Sequence, residues 1–277
     1  MLKGPASVLH PLGLITLLTD FGTADWFVAS MKGVILSINP QATIIDLTHE
    51  VPPHAVEHAA YLLKSCYRSF PPGTVHVAVV DPGVGSERRP LIARSAQYFF
   101  LAPDNGLLSH VAEDEQDIEV REIENKQYRL EPIGRTFDGR DLFAPAAAWL
   151  TKNESFASFG RLLQSYRKFH AQSPRWEHAG EQAALVGEVV HIDRFGNLIT
   201  NLAADHVKQW QAAAKRPNPI IRLLGHVIDG LVGSYSEGDS QTPHALINSG
   251  GYVEIFLKES SASVRLSVVR GEPVRLS

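Results

Sequence analysis

The feature that most constrains this chain is an alternation confined to its first 160 residues: short apolar runs of strand length, each followed by a stretch with helical spacing. Residues 15–19 form such a run and end in Asp20-Phe21-Gly22, and residues 25–38 then place Phe27, Met31, Val34 and Ile38 on one helical face. Asn39-Pro40 stops that helix. Residues 43–47 read as a second strand, 56–67 as a second helix closed by Pro71-Pro72-Gly73, and 75–80 as a buried third strand. Further strands are expected at 91–94, 99–102 and 118–123, and a helix at about 142–150. Strands alternating with helices of this length pair in parallel through right-handed crossovers, and ligands gather beyond the carboxyl ends of such strands. Asp20 and Asp81 both stand at those ends.

A polar, aromatic-studded stretch, 161–182, contains Ser173-Pro174 and reads as a linker. Beyond it, residues 184–192, 198–202, 220–224, 252–256, 264–268 and 274–276 are short β-rich runs separated by Gly and Ser turns, with one helix near 205–214. These predict an α/β fold class in two parts. An N-terminal α/β domain with a mainly parallel sheet spans 1–160, and a small C-terminal β-barrel or sandwich spans 183–277. A chain of 277 residues accommodates two such domains.

A formal charge of -4 and no Lys/Arg stripe argue against nucleic acid as a partner. Residues 1–13 lack the continuous apolar stretch of a signal peptide, and nowhere do about 18 apolar residues run together, so a soluble cytoplasmic chain without a membrane partner is expected. Cys66 is the single cysteine. It rules out an intrachain disulfide, suits a reducing compartment, and sits in an apolar helical stretch where inert packing is its expected role.

Several short patterns carry candidate chemistry. Asp20-Phe21-Gly22 matches the magnesium-binding triplet of protein kinases, yet no Gly-rich phosphate loop or His-Arg-Asp loop accompanies it. His54-Ala55-Val56-Glu57-His58 fits the H-x-x-E-H zinc pattern, but Pro52-Pro53 puts His54 at the helix start and no third ligand is indicated, so no metal site is expected. In Asp81-Pro82-Gly83-Val84-Gly85-Ser86-Glu87-Arg88 the glycines permit a tight turn across which Asp81 and Arg88 can converge, a carboxylate and a guanidinium able to hold and polarise water. Residues 136–145 concentrate Asp138, Arg140 and Asp141 ahead of a helix, and Asp193-Arg194-Phe195-Gly196-Asn197 lies between two β runs where a hairpin turn is the plain reading.

Taken in order, the blocks TDFGTADWFVASMKG, VDPGVGSERR, APDNGLL, TFDGRDLFAP, IDRFGNLITN and NSGGYVEI resemble the SAM hydrolase (adenosine-forming) family, also called SAM hydroxide adenosyltransferases, relatives of fluorinase and chlorinase. The resemblance spans about residues 14–265 and implies an α/β domain followed by a β-barrel. It implies that Asp20 takes the ribose diol of S-adenosyl-L-methionine (SAM), that Asp25 and Asp193 bind the methionine ammonium, and that Ser249 binds its carboxylate. Asn197 would read the adenine edge between the faces of Phe195 and Tyr235. It further implies a homotrimer, with sites formed between one subunit's first domain and its neighbour's barrel.

The implied reaction is displacement of methionine from ribose C5′ by water. Sulfonium already leaves well, so alignment and stabilisation of the nucleophile suffice and no cofactor is expected. The family's water-handling trio is Asp-Arg-His. Asp81 and Arg88 match its first two members, whereas Asp138 stands where the family has His. That substitution leaves open a non-catalytic SAM- or adenosine-binding protein; halide attack on the same carbon is a separate alternative, against which the retained Asp81 and Arg88 and the added Asp138 weigh.

Overall fold

The computed structural model describes residues 9–115, 117–131, 134–169, 173–179 and 182–277, and the chain divides into two compact units, Met1–His170 and Ala171–Ser277. The first unit contains β1 Leu14–Thr19, α1 Phe27–Ile38, β2 Thr43–Thr48, α2 Val56–Cys66, β3 Val75–Val79, β4 Pro90–Arg94, β5 Phe99–Pro103, α3 Ser109–Asp114, β6 Glu119–Glu122 and α4 Ala144–Thr151. Its sheet has the order β2-β1-β3-β5-β4-β6. The β2, β1, β3 and β5 strands run parallel, as the alternation predicts, while β4 is antiparallel to both β5 and β6.

Successive side chains of a strand point to opposite faces, and here both faces are covered. Ile15, Leu17, Val75 and Val77 pack with Met31 and Ile35 of α1 and the alanines of α4. Leu18, Ala78 and Phe100 pack with Ala59 and Leu63 of α2 and Val111 of α3 on the other side. Such a three-layer arrangement buries the central strands wholly, which is why β1 and β3 read as near-continuous apolar runs. Their parallel register, Thr19 beside Val79, brings the segments after both strands to the same edge of the sheet.

Two local features differ from the sequence reading. Helix α1 starts at Phe27 with Trp26 as its N-cap and no side-chain cap, so Asp25 lies ahead of the helix. The helix expected at 142–150 is entered through a π-helical turn, Gly139–Phe143, before α4 begins at Ala144.

The second unit contains β7 Arg175–Ala179, β8 Gln182–Ile192, β9 Leu198–Ala203, α5 Ala204–Ala214, β10 Ile220–Leu223, β11 His226–Asp229, β12 His244–Ile247, β13 Tyr252–Phe256, α6 Ala262–Leu266 and β14 Pro273–Leu276. Its strands pair antiparallel in the order β11-β10-β14-β8-β9-β13-β12, with β7 on β8, and the two end strands meet so that the sheet is nearly a closed barrel. The indole of Trp210, carried by α5, is fully buried in its core and donates Nε1 to the carbonyl of Ala183 at 2.9 Å.

Strand β7 falls inside the stretch read as a linker, of which residues 170–172 and 180–181 lie outside the described residues. The strand expected at 264–268 is instead helix α6. Ser261 Oγ accepts from the Val264 amide at 3.2 Å, and Ser267, at φ 55°, ends the helix. Ala262 and Leu266 are buried four residues apart while Val264 is 79% exposed, a helical rather than a strand period. Among the described residues no helix is long and apolar enough to cross a membrane.

Candidate active site

At the end of β1 the chain reverses through Gly22, whose φ of 64° suits a residue without Cβ. The Gly22 amide donates to the His49 carbonyl at 2.8 Å, and Thr19 Oγ1 pairs with His49 Nδ1 at 2.8 Å, tying this turn to the segment after β2. Asp20, half-buried, accepts the His54 amide through Oδ2 at 2.9 Å. His54 has φ 68° and precedes α2, so the two imidazoles of the H-x-x-E-H pattern do not share a helical face. Asp25 is exposed beside Trp26, whose ring packs on Phe27 at 4.8 Å and on Phe137 at 5.6 Å.

Asp81 follows β3 and opens a loop built on Gly83 and Gly85. A Cβ on Gly85 would lie 2.7 Å from the Arg135 carbonyl, and its φ is 79°, so only glycine lets this loop close against the segment leading to Asp138. Ser86 accepts the Arg88 amide at 3.3 Å and donates to the Gly83 carbonyl at 2.6 Å, turning Arg88 back over the strand end. Arg88 Nε donates to Asp81 Oδ2 at 2.8 Å, Nη2 lies 2.5 Å from the same oxygen, and Nη2 also donates to Asp138 Oδ2.

The side chains of Asp81, Arg88 and Asp138 are 4%, 11% and 24% exposed, so all three charges sit in a setting where pairing matters. Burial works against the Arg88 cation, but its bonds to Asp81 and the charges of both carboxylates outweigh that and hold the guanidinium above its usual range. Asp81 Oδ1 is buried and has no hydrogen-bond partner among the described residues, an atom that demands a donor. A cavity of about 300 Å³ opens onto Arg88 and Asp138, with Ser86, Glu87, Arg129 and Arg135 around it.

In the barrel unit the predicted hairpin joins β8 to β9. Asp193 organises it: Oδ1 accepts the amides of Phe195 at 2.9 Å and Asn197 at 2.8 Å, and Oδ2 accepts Asn197 Nδ2 at 3.0 Å. Gly196 has φ 83° and a Cβ there would collide with Ser261 Oγ. Asn197 is buried, whereas the Phe195 ring is 76% exposed. Tyr235 is half-exposed and donates to the buried carboxylate of Glu254 at 2.5 Å. Ser249 is exposed in the turn between β12 and β13.

The structure thus brings Asp81, Arg88 and Asp138 into direct contact, and Asp193 together with Asn197. Among the described residues Asp20 and Asp25 make no hydrogen bond or ion pair with that trio. Sequence reasoning did not single out Glu254, nor the ion pair of Arg89 with Asp104, which pins the loop after Asp81 at 2.5 Å.

An α/β unit with charged groups collected where β1 and β3 end, followed in the same chain by an antiparallel barrel with a polar hairpin, defines a two-module small-molecule enzyme. The family model described as the SAM hydroxide adenosyltransferase N-terminal domain matches residues 15–160, the corresponding C-terminal domain matches residues 187–275, and the chain belongs to that family. It is similar to (R)-S-adenosyl-L-methionine hydrolases from Methanocaldococcus jannaschii, 36% identical with 93% of each chain covered, and from Thermus thermophilus, 33% identical over 94% of this chain and 97% of the relative. A crystal structure of an uncharacterized conserved protein from Thermotoga maritima superposes with a TM-score of 0.86 at 34% identity, covering 95% of this chain and 99% of that one.

Proposed function

We propose that this protein hydrolyses SAM to adenosine and L-methionine. The observation that carries the reading is the Asp81–Arg88–Asp138 cluster, in which one carboxylate oxygen, Asp81 Oδ1, is buried with no donor among the described residues. A water donating one hydrogen to that oxygen has its own oxygen turned toward the substrate carbon, with the guanidinium near enough to stabilise charge that develops on it. Hydrolase relatives at 33–36% identity along nearly the whole chain support the same chemistry.

In the step itself the water oxygen bonds to C5′ as the C5′–S bond breaks, and the bonding pair stays on sulfur as neutral methionine thioether. The water proton passes to a carboxylate of the cluster and then to solvent. Alignment opposite the leaving sulfur contributes much of the acceleration, because it replaces a bimolecular encounter by a held geometry.

The substrate contacts are assigned by family resemblance. Asp20 takes the ribose diol, Asp25 and Asp193 the ammonium, and Ser249 the carboxylate. Asn197, whose Nδ2 is engaged by Asp193, offers Oδ1 to the adenine amine, and the exposed faces of Phe195 and Tyr235 flank the ring. A cytoplasmic homotrimer with sites at subunit interfaces, the assembly that the resemblance implies, completes the proposal.

The test is product analysis after incubation with SAM in ¹⁸O-labelled water. Label in the 5′-hydroxyl of adenosine is the expected result. Adenosine without label, or no adenosine above the buffer blank while SAM binds, overturns hydrolysis.

A further inference from the structure

Glu254 is 3% exposed in β13, and among the described residues it has no basic partner. A buried carboxylate is costly unless its oxygens are hydrogen-bonded. Here the two oxygens are divided between two loops. Oε1 accepts from the Tyr235 hydroxyl at 2.5 Å, and Oε2 accepts from Asn248 Nδ2 at 3.0 Å.

Each partner is itself an anchor. Tyr235 opens the short turn Tyr235–Glu237, and its ring meets Phe256 edge-on at 4.9 Å, which leaves the phenol as the adjustable end. Asn248 uses Oδ1 to accept the amides of Gly250 at 3.0 Å and Tyr252 at 3.1 Å, closing the turn that carries Ser249. One buried carboxylate therefore fixes two loops, 235–237 and 248–252, each bearing a residue that the proposed function places on substrate.

We propose that Glu254 is a positioning residue for substrate binding, an anionic strut that sets the Tyr235 ring and the Ser249 turn in their binding arrangement. This rests on the SAM reading above. A neutral residue could hold the loops by packing alone. The carboxylate instead forms a short charge-assisted bond to the phenol and leaves negative charge near a ligand that is itself cationic. Burial raises the Tyr235 phenol above its ordinary value first, with the bond to Glu254 and the charges of Glu254 and Asp193 adding to it, so the hydroxyl stays a donor throughout the working range.

The experiment compares the full-length wild type with Glu254→Gln, Tyr235→Phe and the double variant. A glutamine keeps the volume and its oxygen can keep the Asn248 bond, but its NH₂ can only donate to a Tyr235 hydroxyl turned acceptor, so the charge-assisted bond from the phenol becomes a weaker neutral one. Expected is a rise of about tenfold in Kd and KM for SAM in Glu254→Gln, with kcat within about threefold of wild type. The double variant should be no worse than about the weaker-binding single, because both act on the same bond between the phenol and residue 254. Ultraviolet titration of the phenols should show one tyrosine ionising at lower pH in Glu254→Gln.

An unchanged Kd in folded Glu254→Gln, or a fall in kcat at constant Kd, overturns the assignment. Should Glu254→Gln not fold, Tyr235→Phe keeps its ring in place and carries the same affinity test. Failure of the wild type itself to bind SAM would refute the proposed function instead, while the phenol titration would still report whether the strut exists.

Discussion

Replacing Arg88 by alanine separates catalysis from binding. The guanidinium is 11% exposed and contacts Asp81 through Nε at 2.8 Å and Nη2 at 2.5 Å, with Asp138 on the other side of Nη2. A full cation about 4 Å from a hydroxide-like oxygen is worth about 4 kcal/mol at an effective dielectric of about 20. The nucleophile is only partly charged in the transition state, which reduces the differential effect to about 2–3 kcal/mol. At about 1.4 kcal/mol per decade, kcat should fall about 30- to 150-fold. SAM affinity should stay within about threefold if, as proposed, Arg88 acts on the nucleophile rather than on the ligand. Chromatography of released adenosine measures the first quantity and calorimetry the second. Loss of its counter-ion leaves Asp81 buried at 4% exposure and costs up to about 3–5 kcal/mol of stability, so both assays belong well below the variant's melting temperature. Matching losses in kcat and affinity would place Arg88 on the substrate and refute the argument.

Asp138→His should turn over SAM at least as fast as wild type, measured by adenosine release; complete inactivity would show that the carboxylate has its own catalytic task. Incubation with SAM and chloride or fluoride should yield no 5′-halo-5′-deoxyadenosine by mass spectrometry, and a sizeable yield would reverse the choice of nucleophile. Burial lowers the pKa of His76 to about 3, while the unfolded chain titrates it near 6.5, so the native state binds fewer protons between those values. Its stabilising contribution is whole above about pH 6.5 and is lost as pH falls toward 3; NMR should find the His76 imidazole neutral at pH 4.5, and a titration midpoint near 6.5 would contradict this.

Much of the fold was legible because it rests on periodicity. The central strands β1 and β3 are buried on both faces and read as apolar runs, and the strand ends then located Asp20 and Asp81 without further information. Strand direction was not legible: β4 and β5 are short, largely apolar segments and β6 is the charged run Glu119–Glu122, and their antiparallel pairing is set by how the loops return, not by composition. Residues 264–268 alternate like a strand, yet Ser261 caps a helix there, a local hydrogen bond outweighing a weak two-residue pattern. Glu254 was hidden by a similar conflict. Charged residues in a β run are expected to face solvent, but the register shift between Tyr252 and Glu254 interrupts the alternation, and Val253, Glu254 and Ile255 are all buried.

Against the imidazole that the family resemblance implies, Asp138 alters the charge of the proposed water-handling cluster. Its carboxylate contacts Arg88 Nη2, so the guanidinium is held between Asp81 and Asp138. Two carboxylates around one guanidinium carry a formal negative charge, whereas a neutral imidazole in that place would leave the trio formally balanced. An approaching halide is repelled by that excess and has no proton to surrender. Water meets the same repulsion only as its negative charge develops, and it has a proton to release. On the proposed mechanism a carboxylate at position 138 in place of the imidazole that the resemblance implies favours water over halide, and Asp81 Oδ1, buried and without a partner among the described residues, is the acceptor proposed to hold that water in line.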